Sequence, residues 1–461
     1  MLLALGVVVC LAGAAAAALR ETAPDTALVV VIAAVVAAAA IVALPAIDPA
    51  VPLSAGLLTT VFSGNWQSLG IPLGLDRPLL LYGIAGVLVQ ALPDAFARRR
   101  IRVAPLHWLL LAVAVYAIGS ALFAGTLFER EPLFALLDKL GIIGFLLFLV
   151  APVAFATRRS RDGLLVCLIG LGLYLGITAV LERLDLRAFV FPRYINDPSV
   201  GIHFDRARGP FVEAAINGFA LYTCLVAAAM GWARWPRPAL RTLCAVTIAL
   251  CGLGVVLTLT RQVWVAAAVA TPVALLVTPG ARRYVVPALV LGLVVVAAAF
   301  TFVPGLQASA SARTGDDRSV WDRLNSNRAA VHMLDEHPLV GTGWFTFQRD
   351  SGPYYTQAAT YPLTTVPRPH NVFLSNVSEL GLVGGVAWIL ALLLAVGRGV
   401  VGRPPPAGDL KLWRAGLVAV FVAWVVVANL SPFGAAFNNH LIWLWAGICW
   451  VPFACGAERA A

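Results

Sequence analysis

The chain has 461 residues, of which 60% are hydrophobic and 12% are charged, and its formal net charge is +10. Soluble proteins are about half apolar and about a quarter charged, so this composition excludes a water-soluble enzyme. Apolar runs long enough to cross a bilayer, which takes about 20 residues, recur along the chain. They predict a polytopic helical membrane protein.

In chain order, the apolar runs predict an all-α protein with about 12–13 transmembrane helices. The predicted spans cover residues 1–19, 27–44, 77–92, 105–123, 133–155, 163–181, 211–230, 239–258, 263–278, 285–303, 371–396, 415–430 and 437–455. We expect a transmembrane core of about ten helices over 1–303, a large extracytoplasmic loop with short helices over 304–370, and about three C-terminal transmembrane helices over 371–461.

Arginine marks five of the connections between these spans, at residues 98–102, 158–161, 234–241, 282–283 and 398–414. Basic residues concentrate in cytoplasmic loops, so these connections are predicted to face the cytoplasm and the alternate ones to face outward. The positive charge therefore reflects membrane topology and does not indicate nucleic acid as a partner. The pattern predicts a multi-pass protein of the cytoplasmic (inner) membrane.

The predicted outward loop 304–370 is much longer than an ordinary connection, and such loops are usually functional or disordered. Its aromatic residues supply apolar surface to bury, so we expect it to fold as a cap over the outer face. A helix is predicted over residues 319–336, ending before Pro338, with a turn at Gly341 and Gly343. The expected apolar stripe of this helix consists of Trp321, Leu324, Val331 and Leu334.

His370 follows this loop and precedes an apolar run. Pro367 and Pro369 prevent a helix before it, so the next span is predicted to begin close to His370. A helix N-terminus favours anions, and an imidazole that titrates near neutral pH suits a general base. The alternative is an ordinary loop histidine at the membrane interface.

Arg261 lies between two apolar runs that are joined by almost no loop. It is therefore predicted to lie at or just below the outer membrane surface, where a charge is costly and indicates a functional site. The alternative is a side chain that extends to the lipid headgroups.

Arg206 and Arg208 end another outward loop, immediately before a span. Gly209 and Pro210 predict a tight turn that holds Arg208 in place, and Glu213 follows one turn into the helix. Arginine binds phosphate through two parallel hydrogen bonds, so these side chains suit a pyrophosphate group. Contact with lipid phosphates is the alternative.

Other kinds of site find little support in the sequence. The sequence contains no GxxxxGK[ST] motif, so it does not indicate ATP-driven transport. Asp316 and Asp317 lie in a polar stretch that is predicted to be a solvated loop. His332 and His337 lack a third ligand, so we expect no metal and no cofactor.

Three segments resemble motifs of the O-antigen ligase and polymerase superfamily of bacterial membrane glycan-transferring enzymes. DEHPLVGTGWFTF at 335–347 is similar to the family's hP-l-G-v-G-x-x-x-F motif. HNVFL at 370–374 with ELGLVG at 379–384 is similar to its HN-x-fL-x-x-x-x-E-x-G-x-x-G motif. Thr260 and Arg261 resemble the start of its T-x-S-R helix. The order and spacing match over about residues 200–390.

The resemblance implies a GT-C-like fold and an undecaprenyl-pyrophosphate-type donor. The glycan of this donor would be transferred with inversion to an acceptor hydroxyl at the outer face, without metal or nucleotide. His370 matches the histidine that is proposed to activate the acceptor, and Arg208 and Arg261 match the arginines that hold the donor pyrophosphate. Further candidate substrate-binding residues are Arg206, Arg368 and Glu213.

Three alternatives stay open at this point. A polysaccharide polymerase of the same superfamily would extend the glycan on its carrier lipid, and a membrane solute transporter would move its substrate across the bilayer. A catalytically silent scaffold would support assembly of the cell envelope. The long loop and the few acidic residues within the predicted spans argue against ion-coupled transport.

Overall fold

A computed structural model describes residues 39, 42–71, 74–98, 103–278, 280–302, 318–356, 369–401, 408–432 and 434–450. Over these ranges the chain consists of α-helices and short 3₁₀ turns, with no β-strand. The predicted all-α class is therefore confirmed.

The α-helices of the described ranges are numbered in chain order. They are α1 Ala50–Thr59, α2 Asp76–Arg98, α3 Pro105–Phe123, α4 Arg130–Ala135, α5 Ile142–Ala154, α6 Arg158–Arg183, α7 Ala214–Arg234, α8 Pro238–Leu257, α9 Arg261–Val277, α10 Val285–Phe302, α11 Arg318–Glu336, α12 Phe347–Asp350, α13 Val372–Val401, α14 Gly408–Ala428 and α15 Ala436–Cys449. A π-helical segment, Leu136–Leu140, follows α4.

Eight helical segments of the described ranges are long and apolar enough to cross a membrane. They are Pro105–Phe123, Arg130–Ala154, Arg158–Arg183, Ala214–Arg234, Pro238–Leu257, Arg282–Phe302, Val372–Val401 and Gly408–Ala428. Each overlaps one predicted span, so the prediction of a polytopic membrane protein is confirmed. The predicted spans 1–19 and 27–44 lie outside the described ranges, apart from residues 39 and 42–44.

The short helix α1 lies where the sequence predicts an outward loop, within residues 45–76. It packs tightly on α2, because a Cβ on Gly56 would lie 2.8 Å from Leu80 N and one on Gly83 would lie 2.5 Å from Leu53 Cγ. Glycines let the two helices approach closely. The prediction missed α1 because a helix of 10 residues is too short to form an apolar run of membrane-spanning length.

One end of the bundle, called the lower end, contains the starts of α6 and α14, the end of α7 and a buried ion cluster. Arg161 of α6 donates from Nε to Asp409 Oδ2 at the start of α14 over 2.8 Å, and these side chains are 4% and 7% exposed. Arg234 at the end of α7 pairs with Asp162 of α6. The cluster therefore joins three helices by paired charges that are shielded from solvent.

The opposite end, called the upper end, contains the starts of α7, α9, α13 and α15. Just below it, the π-helical segment stops at Gly141, which has a left-handed φ of 106°, before α5 begins. The side chain of Asn439 in α15 donates to Asp138 O over 3.1 Å, and Trp388 of α13 donates from Nε1 to Leu140 O over 2.9 Å. Such π-helical segments are frequent at functional sites.

The helix predicted in the large loop is confirmed as α11, but the predicted apolar stripe is wrong. Leu324 and Val331 are 49% and 43% exposed. The fully buried hydrophobic residues of the helix are Ala329, Ala330 and Met333. This face packs against Phe347 of α12 and against Leu374 of α13. Two of these three residues are alanines, and small side chains allow close helix packing.

The lower-end cluster predicts a stability change for Asp409→Asn. The substitution leaves Arg161 with a buried charge that has lost its carboxylate, so we expect unfolding to become easier by about 3–5 kcal/mol. The midpoint of thermal unfolding, followed by tryptophan fluorescence, measures this. Lys411→Gln, at an exposed position of α14, is the matched control and should leave the midpoint unchanged. An unchanged midpoint in Asp409→Asn would show that the cluster is dispensable.

Candidate functional site

The main chain of residues 338–343 inserts into a break in α13 at Gly381, whose backbone leaves the helical region. Four main-chain hydrogen bonds join the two segments. They run from Thr342 N to Ser378 O (3.1 Å), from Gly343 N to Glu379 O (2.9 Å), from Leu382 N to Pro338 O (2.8 Å) and from Val383 N to Leu339 O (3.2 Å). We call this arrangement the interlock. It pairs main-chain groups that the break would otherwise leave without helical partners.

Two glycines make the interlock possible. Gly341 and Gly381 adopt φ values of 71° and 67°, in the left-handed region. A Cβ on Gly341 would lie 2.4 Å from Glu379 O, and one on Gly381 would lie 2.2 Å from Leu339 O. Any other residue would combine a strained backbone with a collision.

Side chains fix the inserted segment to the helices around it. The Glu379 carboxylate accepts the Phe345 N–H over 3.0 Å. Trp344 is fully buried and donates from Nε1 to Pro132 O over 3.1 Å, and its own carbonyl accepts the Thr126 hydroxyl over 2.9 Å. This part of the cap is therefore packed onto the membrane helices as one unit.

His370 lies at the start of α13, as predicted. Asn371 fixes this start, because its Oδ1 accepts the Leu374 N–H and its Nδ2 donates to Asn429 Oδ1, both over 3.0 Å. The His370 side chain is half-buried. It lies at a helix N-terminus, where the main-chain dipole favours negative charge.

A cavity of about 330 Å³ adjoins the His370 turn, since Pro369 and Val372 line it. Its other walls come from α4 and the π-helical segment, from the start of α7 and from the cap. Carboxylates make up much of its polar lining, namely those of Glu131, Asp138, Glu213 and Glu379. Lys139 is the basic residue among the described lining residues.

Arg261 begins α9 and is exposed at the upper end. It acts electrostatically on Arg323 of α11: burial lowers the pKa of Arg323, and the positive charge of Arg261 lowers it further. Within the described part of the chain, the buried Nε of Arg323 has no hydrogen-bond partner. Two guanidinium groups that repel each other attract an anion placed between them, so this arginine pair suits a phosphate.

Arg208 is fully buried, and its guanidinium group binds carbonyls of its own loop. It donates to Ile195 O over 2.8 Å and also to the carbonyls of Asp197 and Val200. Its main-chain N–H donates to the Glu182 carboxylate over 3.3 Å. Burial lowers the pKa of Arg208. The predicted tight turn holds this side chain in place, and the groups it binds in this structure are main-chain oxygens.

Arg206 is half-buried and lies close to the turn that precedes Arg261. The link is made by Ala207, whose N–H donates to Leu257 O at the end of α8 over 3.3 Å. The loop that carries Arg206 therefore adjoins the start of α9.

The remaining predicted residues fall in different places. Glu213 directly precedes α7 and lines the cavity, so it shares that cavity with the residues that flank His370. Arg368 lies outside the described residues.

Arg323 and Lys139 belong to this region, but the sequence reasoning did not single them out. Arg323 lies on a helix whose buried face was predicted incorrectly. Lys139 could have been found, because it is one of two lysines in the chain and interrupts a predicted span.

The fold and the site together define a class, an all-helical polytopic membrane protein with an arginine pair and a carboxylate-lined cavity at one end. Residues 246–389 match the family model described as O-antigen ligase. This match over residues 246–389 confirms the resemblance to the O-antigen ligase and polymerase superfamily that the sequence motifs indicated. The match supports a glycan ligase- or polymerase-type membrane enzyme. A comparison with curated proteins finds no match.

The interlock predicts that Gly381→Ala is strongly destabilising. Left-handed strain and the collision with Leu339 O should together cost at least about 2 kcal/mol of unfolding free energy. Thermal unfolding followed by tryptophan fluorescence measures the loss. Gly397→Ala is the matched control in the same helix, because a Cβ there meets nothing within 4 Å. Equal midpoints for the two variants would contradict the importance of the interlock.

Arg208→Gln tests whether this residue holds its loop or binds a donor. Removing the guanidinium group leaves buried carbonyls without a hydrogen-bond donor. Each unsatisfied carbonyl lowers the unfolding free energy by about 1–3 kcal/mol. The unfolding midpoint of donor-free protein should therefore fall. Arg206→Gln, at a half-buried position in the same loop, should change it less. A normal midpoint combined with weakened donor binding would favour the donor-binding role predicted from the sequence.

Proposed function

We propose that the protein transfers a glycan from an undecaprenyl-pyrophosphate-type lipid carrier to an acceptor hydroxyl at the outer face of the cytoplasmic membrane. The observation that carries this proposal is the arginine pair. It combines two like charges that act on each other, Arg261 at an exposed position and Arg323 at a half-buried one, in a segment that matches the O-antigen ligase family model. A pyrophosphate would relieve the repulsion between Arg261 and Arg323 and would accept hydrogen bonds from both guanidinium groups.

In the proposed reaction, the acceptor oxygen attacks the anomeric carbon of the donor glycan from the face opposite the pyrophosphate. The new carbon–oxygen bond forms as the bond to the pyrophosphate oxygen breaks, so the configuration inverts. The electron pair of the broken bond leaves with the lipid pyrophosphate. His370 takes the hydroxyl proton, and Arg261 and Arg323 balance the charge of the leaving group. The reaction as proposed uses neither metal nor nucleotide.

The other predicted site residues take supporting parts in this proposal. Arg206, which lies near the turn before Arg261, would contact a donor phosphate. Glu213 would accept a hydrogen bond from the acceptor in the cavity. Donor contacts by Arg208 and Arg368 remain predictions, and Arg208 would first have to exchange main-chain carbonyls for phosphate oxygens.

The proposed orientation places the upper end outside. Its basis is the concentration of arginine-rich connections at the lower end, which the positive-inside rule assigns to the cytoplasm. A donor anchored in the outer leaflet would then present its pyrophosphate at the level of the arginine pair.

The test measures glycan transfer by purified protein in lipid nanodiscs, with an undecaprenyl-pyrophosphate-linked glycan and a hydroxyl acceptor. His370→Ala should lower the rate by about 10²–10⁴-fold, because the proton acceptor is lost. Arg261→Ala and Arg323→Ala should each lower it by about 10²–10³-fold, because charge on the leaving group is no longer balanced.

Matched controls come from exposed positions on α11. His332→Ala and Arg328→Ala remove the same residue types there and should retain the full rate. Full transfer by the His370→Ala protein, or by both arginine variants, would overturn the assigned roles. A ladder of glycan lengths on the carrier lipid would identify a polymerase, whereas movement of the glycan to a different molecule would identify a ligase.

A further inference from the structure

We propose that the loop between α6 and α7 extends into the lipid leaflet at the upper end, and that Phe189 and Phe191 anchor it at the boundary between headgroups and acyl chains. The loop covers residues 184–213, and we call residues 184–193 the anchor segment. The partner of this surface is the phospholipid bilayer. The inference rests on the membrane-spanning helices on either side of the loop and does not require the proposed transfer reaction.

The anchor segment exposes large apolar side chains although the loop has a hydrophobic core of its own. That core consists of Val190, Tyr194, Ile195 and Val212. The large apolar residues that the anchor segment exposes are Leu184, Leu186, Phe189 and Phe191. Of these, Phe189 is 73% exposed and Phe191 is 63% exposed. Exposed apolar side chains that gather in one short segment indicate an interaction surface.

The anchor segment folds back along α6, so part of it lies below the end of that helix. The Tyr174 hydroxyl of α6 donates to Phe191 O over 2.8 Å. Tyr174 lies nine residues before Arg183, the last residue of α6, which corresponds to about 14 Å of helix. Ile177, a neighbour of Tyr174 on the helix surface, is exposed. The exposed apolar surface of this membrane-spanning helix therefore adjoins the anchor segment.

Side chains of the loop pair its main-chain carbonyls, as a segment shielded from water requires. Arg193 donates from Nη1 to Ala188 O over 2.7 Å, and Asn196 donates from Nδ2 to Arg187 O over 2.9 Å. The buried guanidinium group of Arg208 binds carbonyls of the second half of the loop in the same way. A loop in water does not need such donors, because water can pair its carbonyls.

The distribution of polar residues gives the anchor a direction. The exposed polar residues in the second half of the loop are Asp197, Ser199, His203 and Asp205. In the anchor segment, Asp185 pairs with Arg187 over 2.8 Å, and Arg193 is exposed. Charged side chains next to exposed aromatic rings suit the headgroup level of a bilayer. The anchor segment therefore faces lipid, and the second half of the loop faces water.

Photo-crosslinking tests this contact. The amino acid p-benzoylphenylalanine replaces Phe189 or Phe191 in the full chain in phosphatidylcholine nanodiscs, and mass spectrometry identifies the adducts after irradiation. Both positions should form a phospholipid adduct, as should Ile177 on the membrane-spanning part of α6. Pro198, an exposed residue in the second half of the loop, is the matched control and should form none.

Thiol reactivity provides a second test that does not depend on a bulky probe. Phe189→Cys and Pro198→Cys are treated with a charged maleimide in nanodiscs, and the unsubstituted protein gives the background of the native cysteines. Phe189→Cys should react at least about tenfold more slowly than Pro198→Cys, because an apolar environment disfavours the reactive thiolate. In denaturant the two variants should react equally.

The outcomes decide the proposal independently of glycan transfer. Phospholipid adducts at positions 189 and 191 but not at 198 support the anchor, even in a protein that transfers nothing. The absence of such adducts, an adduct to a second copy of this chain in their place, or equal reactivity of the two cysteine variants in nanodiscs would overturn it, even in an active enzyme.

Discussion

A helix that breaks inside a membrane protein must have its exposed main-chain groups paired by another segment, and the upper end of this protein depends on how that requirement is met at Gly381. The pairing segment, 338–343, follows directly after α11, which carries Arg323. The upper piece of α13 begins just after His370. One set of main-chain hydrogen bonds therefore ties the helix that carries the half-buried Arg323 to the helix that positions His370.

Charge is distributed unevenly over the same end of the molecule. Arg261 at the start of α9 acts electrostatically on Arg323 of α11, and carboxylates make up much of the polar lining of the cavity next to the start of α13. Electrostatic complementarity selects ligands mainly by excluding the wrong charge. In the proposed reaction, this distribution would direct the anionic part of the donor to the arginine pair and the acceptor to the cavity, with the anomeric carbon between them.

Sequence reasoning succeeded where the signal is local. The spans were predictable because the bilayer imposes length and apolarity, and the position of His370 at a helix start followed from the prolines before it. Arg323 was missed because its burial depends on which face of α11 packs inward, and close packing through alanines leaves little trace in a hydrophobicity pattern. The partners of Arg208 were equally hidden, since main-chain carbonyls carry no sequence signature.

The break in α13 also has a mechanical consequence. The upper piece of this helix is short and is held at both ends, by the contact of Asn371 with Asn429 and by the interlock. Turning or sliding it would break several hydrogen bonds at once. The wall of the cavity next to His370, formed by Pro369 and Val372, is therefore held in place. Any widening needed to admit a bulky chain has to come from the opposite walls, formed by the π-helical segment and the start of α7.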